Sequence, residues 1–269
     1  MNEINNNSPI GVFDSGVGGL TALKEIFRVL PDESTIYLGD TARVPYGIRS
    51  PETVTRYSFE NAQFLASKGI KLLVVACNTA SSVSLEAIRK SVSVPVIGVI
   101  EPGASEAVKS TRNKKIGVIG TEATIRSSAY KKAIEALDGS VQVFGFSCPL
   151  FVPLVEEGWT EGEIAVMVAK KYLRKVKEKG VDTLVLGCTH YPLLKKVIAE
   201  VMGSDIRLID SAVETAKRTA GTLKKGGLER KLKEKPLREF YVTDSPERFV
   251  KVGERFLQQK IERIEKIEL

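Results

Sequence analysis

Short apolar runs alternate with longer amphipathic stretches along this chain, and the alternation is laid out twice. In the first half Ile10–Phe13, Thr35–Leu38, Leu72–Ala76 and Val94–Val99 read as strands. In the second half Lys115–Ile119, Val141–Phe146, Thr183–Leu186 and Ile206–Ile209 do. Between them, segments such as Leu20–Val29, Pro51–Lys68 and Ser82–Lys90 carry apolar residues at helical spacing. Strands that each feed a helix pair in parallel and are covered by those helices. Local wording repeats as well: Ile10-Gly11-Val12 has a counterpart in Ile116-Gly117-Val118, and Leu72–Thr79 has one in Leu184–Thr189. Two copies make a duplication rather than a solenoid. The expected fold is therefore α/β, with two pseudo-symmetric domains, each a mainly parallel sheet flanked by helices, and a site between them.

The crossover between copies is expected near Gly98–Ser105. Asp210–Ser211 opens a helix to about Leu223, and the basic, Gly-containing segment Lys224–Pro236 reads as an exposed connection. A strand Glu239–Thr243 and a helix Pro246–Ile267 remain without a counterpart. A tail of this kind packs back on the first copy, which places the domains at 1–98 plus 211–269 and at 99–210.

Composition narrows the class. Met1–Ser8 is polar and lacks the basic and apolar regions of a signal peptide, and no stretch has the length of a membrane span. The expected location is the cytoplasm. Forty Lys and Arg face 33 Asp and Glu, a net charge of +7. Much of the excess sits in Lys224–Arg238, which reads as a solvated segment rather than a nucleic-acid surface, since no nucleic-acid motif accompanies it. A positive field still draws in an anionic substrate. Three cysteines, an odd number, argue against a disulfide framework. The single histidine, His190, lacks the partners of a structural zinc site.

Ligands of open parallel sheets bind beyond the carboxyl ends of the strands. At those ends stand Asp14–Gly19, Arg43–Gly47, Cys77-Asn78-Thr79, Gly120-Thr121, Ser147-Cys148 and Cys188-Thr189-His190. Cys77 and Cys188 each follow an apolar strand and precede residues suited to cap a helix, where a thiol ionises more easily. Either one alone reads equally well as a small buried hydrophobe. As a matched pair in a duplicated unit they face one cleft from two sides. That suits inversion of a stereocentre, with a thiolate removing a proton on one face and a thiol delivering one on the other. Cys148 has no such partner and reads as structural. The glycines of Asp14–Gly19 match neither a P-loop nor a dinucleotide motif, but their amides can cradle a carboxylate. Asp14 reads as an acceptor for the substrate ammonium, a support for Cys77, or an N-cap. His190 reads as a partner of Cys188 or a structural histidine, and Glu156 as a further acid near the site.

Asp14–Leu20 (DSGVGGL), Val44–Gly47 (VPYG), Ala76–Ala80 (ACNTA), Pro149–Gly158 (PLFVPLVEEG) and Leu186–Pro192 (LGCTHYP) resemble the glutamate racemases over nearly the whole chain. The resemblance implies interconversion of L- and D-glutamate without pyridoxal phosphate or metal, supplying D-glutamate for peptidoglycan. It implies that Cys77 acts on D-glutamate and Cys188 on L-glutamate, assisted by Asp14, Glu156 and His190. It places Asp14, Ser15, Pro45, Tyr46, Gly47, Cys77, Asn78, Thr79, Thr121, Cys188, Thr189 and His190 around the substrate, and it implies a homodimer. Two other readings stand beside it: an aspartate or other acidic amino-acid racemase with the same thiols, and a binding module whose cysteines are inert.

Overall fold

The computed structural model describes residues 5–269, so the first four residues of the polar start lie outside the described residues. The strands are β1 (Ile10–Asp14), β2 (Thr35–Gly39), β3 (Leu72–Val75), β4 (Val96–Gly98), β5 (Lys115–Gly120), β6 (Gln142–Ser147), β7 (Thr183–Gly187), β8 (Arg207–Asp210), β9 (Arg238–Val242) and β10 (Ile264–Lys266). They form two wholly parallel sheets, ordered β10-β9-β2-β1-β3-β4 and β6-β5-β7-β8, flanked by helices. The order β2-β1-β3-β4 recurs as β6-β5-β7-β8, so the repeat in the sequence is a repeat of topology. Register repeats too. Phe13 pairs with Val75 across β1 and β3, and Ile119 pairs with Leu186 across β5 and β7. Cys77 and Cys188 each stand two residues beyond the second partner, at the same place in each copy.

The central strands β1, β3 and β7 are buried at every position. This is why they read as continuous apolar runs rather than alternating ones. The helix Leu20–Val29 buries Leu20, Leu23, Ile26 and Phe27, one stripe at helical spacing. Ser50 caps the helix Pro51–Ser67 by accepting from the Thr53 amide at 3.3 Å, with proline at the first helical position. Helix Ser211–Gly226 is capped by Asp210 and stops at Gly227, whose φ of 62° is left-handed. It packs on both Leu20–Val29 and Ile100–Ser110, joining the helix layers of the two sheets. The crossover region folds into that second helix, between β4 and β5.

Two sequence expectations are corrected. The tail helix spans Pro246–Leu257 and does not reach Ile267, because Gln258 turns left-handed and the chain returns as β10 beside β9. Ile261, Ile264 and Ile267 imitate helical spacing. Ile264 opens β10 and Ile267 directly follows it, and the two pack into different apolar clusters, as residues three apart on extended chain do. The segment Ser82–Lys90 is likewise two helices, Asn78–Val83 and Leu85–Ser91, and the first begins directly after Cys77. From Gly227 to Leu237 the chain is a largely exposed connection.

Candidate active site

A cleft of about 330 Å³ opens at the carboxyl ends of β1, β3, β5, β6 and β7. The first copy lines it with Ser15, the loop Val44–Ile48, Cys77, Asn78 and Thr79. The second lines it with Thr121, Glu122, Pro149, Val152, Pro153, Glu156, Cys188, Thr189 and His190. Among these are Pro45, Tyr46, Gly47 and every other residue assigned to the site from the sequence, except Asp14. Asp14 is 1% exposed, its Oδ1 accepting from the Gly16 amide at 3.0 Å and its Oδ2 from the Thr189 hydroxyl at 3.4 Å. Sequence reasoning missed Val44, Ile48, Glu122, Pro149, Val152 and Pro153 as lining. Val44, Ile48 and Glu122 adjoin residues it did select, and Pro149, Val152 and Pro153 fall in the run Pro149–Gly158 that ends near Glu156. A roomier hollow of about 570 Å³ lies where β9 begins, lined by Phe27, Lys235, Arg238, Lys260 and Arg263 among others. None of its lining residues is a thiol or an imidazole, so volume alone does not locate the chemistry here.

Close approach of the copies shapes the cleft. A Cβ on Gly18 would stand 2.2 Å from Thr189 Oγ1 and 2.6 Å from His190 Nδ1, and one on Gly47 would stand 2.8 Å from Thr121 Cβ. Only glycine allows backbone this near. Hydrogen bonds span the same seam. Thr21 donates to the Thr189 carbonyl at 3.0 Å, Thr79 and Thr121 share a hydroxyl contact at 3.0 Å, and Tyr130 donates to Asn78 Oδ1 at 2.7 Å. The other end of that amide, Asn78 Nδ2, is buried and has no hydrogen-bond partner among the described residues. Asn78 itself lines the cleft, and an unpartnered amide donor is the kind of group a carboxylate satisfies.

The two thiols have different surroundings. Cys77 caps the helix Asn78–Val83, its Sγ accepting from the Ala80 amide at 3.5 Å, and lies 3.7 Å from Ser15 Oγ. The cap was expected to ease its ionisation. Burial instead pushes the thiol up to about 12, reinforced by Asp14 and only partly offset by the Ala80 and Ser15 bonds. A six-residue helix carries too little dipole to reverse that. Cys188 Sγ lies 3.9 Å from His190 Nδ1, and His190 Nε2 lies 3.2 Å from Glu156 Oε1. Burial opposes a charged imidazole, but the bonds to Cys188 and Glu156 outweigh it and raise His190 to about 10. The same bond from His190 outweighs burial at Glu156 and holds that carboxyl below its usual value. Asp14 is raised by burial. Cys148 is fully buried, and burial pushes it to about 12. Among the described residues no cluster of His, Cys, Asp and Glu is arranged to hold a metal ion.

The loop that brings Tyr46 and Gly47 to the cleft is pinned by a buried network. Asp40 accepts from Arg43 Nε at 2.7 Å, from Thr243 at 3.0 Å and from the Tyr46 hydroxyl. Asn61 Nδ2 donates to Tyr46 Oη at 3.0 Å. Arg43 also pairs with Glu60 and lies 4.3 Å over the Tyr57 ring.

Comparison with known proteins places this geometry. Residues 10–219 match the family model described as Asp/Glu/hydantoin racemase. The glutamate racemase of Geobacter metallireducens is 58% identical over 260 residues, 97% of this chain and 96% of that one. The structure of a glutamate racemase isoform from Bacillus anthracis aligns with a TM-score of 0.95 at 43% identity, covering 98% of this chain and 99% of that one. The glutamate racemase of Francisella tularensis, solved in complex with D-glutamate, aligns with a TM-score of 0.92 at 40% identity, covering 98% of each.

Proposed function

The chain belongs to the Asp/Glu/hydantoin racemase family, and from that premise we propose that it interconverts L- and D-glutamate by proton transfer at the α carbon between Cys77 and Cys188. One observation carries this reading: two cysteines at the same register position of a repeated sheet open onto one cleft. In the L-to-D direction the Cys188 thiolate takes the α proton from one face and the Cys77 thiol gives its proton to the other. The reaction leaves a Cys188 thiol and a Cys77 thiolate, and the reverse reaction exchanges the roles. Burial holds Cys77 protonated at neutral pH, the state its acid role needs. The His190–Glu156 pair keeps positive charge beside Cys188. Asn78 Nδ2 and the hydroxyls of Ser15, Thr79, Thr121 and Thr189 supply donors for the substrate carboxylates. Asp14 supports the site from beneath rather than touching substrate.

Both proton transfers run through the chain's own thiols, so no added cofactor enters the reaction. The wider reading is a cytoplasmic homodimer supplying D-glutamate for peptidoglycan synthesis, with residues 1–98 plus 211–269 as one domain and 99–210 as the other. Sheet membership supports that division. Among the described residues no helix is long and apolar enough to cross a membrane. Either enantiomer of glutamate, incubated in D₂O without cofactor, should yield product deuterated at the α carbon, and aspartate should turn over far more slowly. Faster turnover of aspartate would move the chain to the other substrate. Ligand binding without turnover, with thiols that resist alkylation even at high pH, would make it a binding module.

A further inference from the structure

The segment after residue 219 lies outside the family match, yet its helix Pro246–Leu257 reaches the site. Three of its side chains meet the Glu156–His190 pair. Arg255 Nη2 donates to the Glu156 main-chain carbonyl at 3.1 Å. Arg248 Nη2 lies 3.7 Å from Glu156 Oε2. The Phe256 ring stands edge-on to the imidazole, with centroids 5.2 Å apart and planes at 86°. Glu156 is the last residue of the helix Phe151–Glu156, where carbonyls lack helical partners and carry partial negative charge. A guanidinium there satisfies the carbonyl and fixes the residue that bears the carboxylate. Gly158 leaves it room: its φ is +84°, and a Cβ would stand 2.2 Å from Arg255 Nη1.

We infer that Arg255, with Arg248 and Phe256 beside it, is a positioning residue for the His190–Glu156 pair and, through that pair, for proton transfer at Cys188. The inference rests on the racemase reading above. The charged or titratable groups facing His190 are Cys188 on its own loop, Glu156 on the helix Phe151–Glu156 and Asp14 on β1, with Arg248 acting through Glu156. Among the described residues no hydrogen bond, ion pair or ring contact joins the tail helix to Cys77. Arg248, Arg255 and Phe256 reach Glu156 and His190 beside Cys188, and none of the three makes such a contact with Asp14, Ser15 or Ala80, the partners of Cys77. Enantiomers have equal free energy, so kcat/KM must remain equal in the two directions for every variant. A one-sided effect appears as unequal changes in the two kcat values, balanced by KM.

His190 is the only histidine in the chain, so its NMR titration can be read without assignment. The experiment follows it in the wild type, Arg255→Ala, the milder Arg255→Gln and the conservative Arg255→Lys, with Glu156→Gln for reference and kcat measured both ways. The wild-type midpoint should lie well above the ordinary 6.5. It should fall by about one unit or more in Arg255→Ala, by less in Arg255→Gln, and recover in part in Arg255→Lys. The ratio of the two kcat values should change by about threefold or more in Arg255→Ala and move back in Arg255→Lys. If Arg255→Ala does not fold, Arg255→Gln decides by the same readings. An unmoved midpoint overturns the inference, as does an equal loss of kcat in both directions. Absence of racemisation in the wild type would sink the racemase reading instead, a result the titration does not mimic.

Discussion

Gly18→Ala tests how tightly the two copies hold the cleft. The new methyl carbon would lie 2.2 Å from Thr189 Oγ1, 2.6 Å from His190 Nδ1 and 2.7 Å from His190 Cε1. Neither neighbour moves freely, since the β-branched Thr189 is stiff at χ1 and His190 is held between Cys188 and Glu156. Restoring ordinary contact, about 3.5 Å between heavy atoms, needs a displacement of about 1 Å at the residues beside Cys188. Overpacking of this kind costs about 1–3 kcal/mol of stability. Misplacing a reacting group by about 1 Å costs on the order of 10²-fold in rate. The expected outcome is a fold that persists, with a lower urea midpoint, and a kcat/KM reduced about 10²-fold equally in both directions. Circular dichroism with each enantiomer of glutamate measures the rate. Gly16→Ala is the matched control, because its Cβ would meet only Val44 Cγ2 at 3.7 Å. Wild-type rates in Gly18→Ala, or equal losses in the two variants, would refute the view that this approach sets the position of Cys188.

Four further outcomes follow from the same structure. Cys77 is raised from 9.0 to about 12, so the folded chain keeps a proton that the unfolded chain releases. Its contribution is complete below about pH 9 and declines as the pH rises toward 12, so the urea midpoint should fall over that window and fall less in Cys77→Ala. For the same reason, iodoacetamide at pH 7.5 should modify Cys77 at least about tenfold more slowly than the unfolded chain's thiols, as peptide mass spectrometry would show. Tyr46→Phe strands Asn61 Nδ2 and removes a donor from buried Asp40. It should cost about 1–3 kcal/mol in urea unfolding and raise KM through the Val44–Ile48 loop. Lys71 is buried against Glu33 at 2.5 Å and against the Asn6 carbonyl at 2.6 Å, and Lys71→Ala should cost about 3–5 kcal/mol in urea unfolding, because the buried Glu33 then keeps only the Arg230 amide at 2.8 Å and loses the cation it pairs with.

The doubled alternation of strand and helix was legible because buried parallel strands leave continuous apolar runs, and both copies kept them; the order of the strands in each sheet was not. The paired thiols were legible for the same reason, as each ends such a run. Glu156 was not visible from spacing. It reaches His190, 34 residues away in sequence, only because the helix after β6 folds over the cleft. Asp14 could be read from its place at a strand end as an ammonium acceptor, a support for Cys77 or an N-cap, and the sequence does not show that the Gly16 amide and Thr189 engage its carboxylate below the surface. The acidity of Cys77 was misjudged because a capping position is visible in sequence while the desolvation that outweighs it is not. The tail was legible as far as Leu257. Beyond it, three isoleucines at helical spacing concealed a turn at Gln258 and a three-residue edge strand. The contacts of Arg248, Arg255 and Phe256 with the site follow from how the tail packs, and nothing local in the sequence announces them.

The division of labour between the thiols is tested most directly by exchange in single-cysteine variants. In D₂O, Cys77→Ala should place deuterium at the α carbon of L-glutamate without forming D-glutamate, since Cys188 removes a proton and returns a deuteron on the same face. Cys188→Ala should do the same for D-glutamate alone. NMR of recovered, chirally resolved glutamate reads both results. Racemisation by either variant, or exchange of the opposite enantiomer, would contradict two-sided transfer between Cys77 and Cys188.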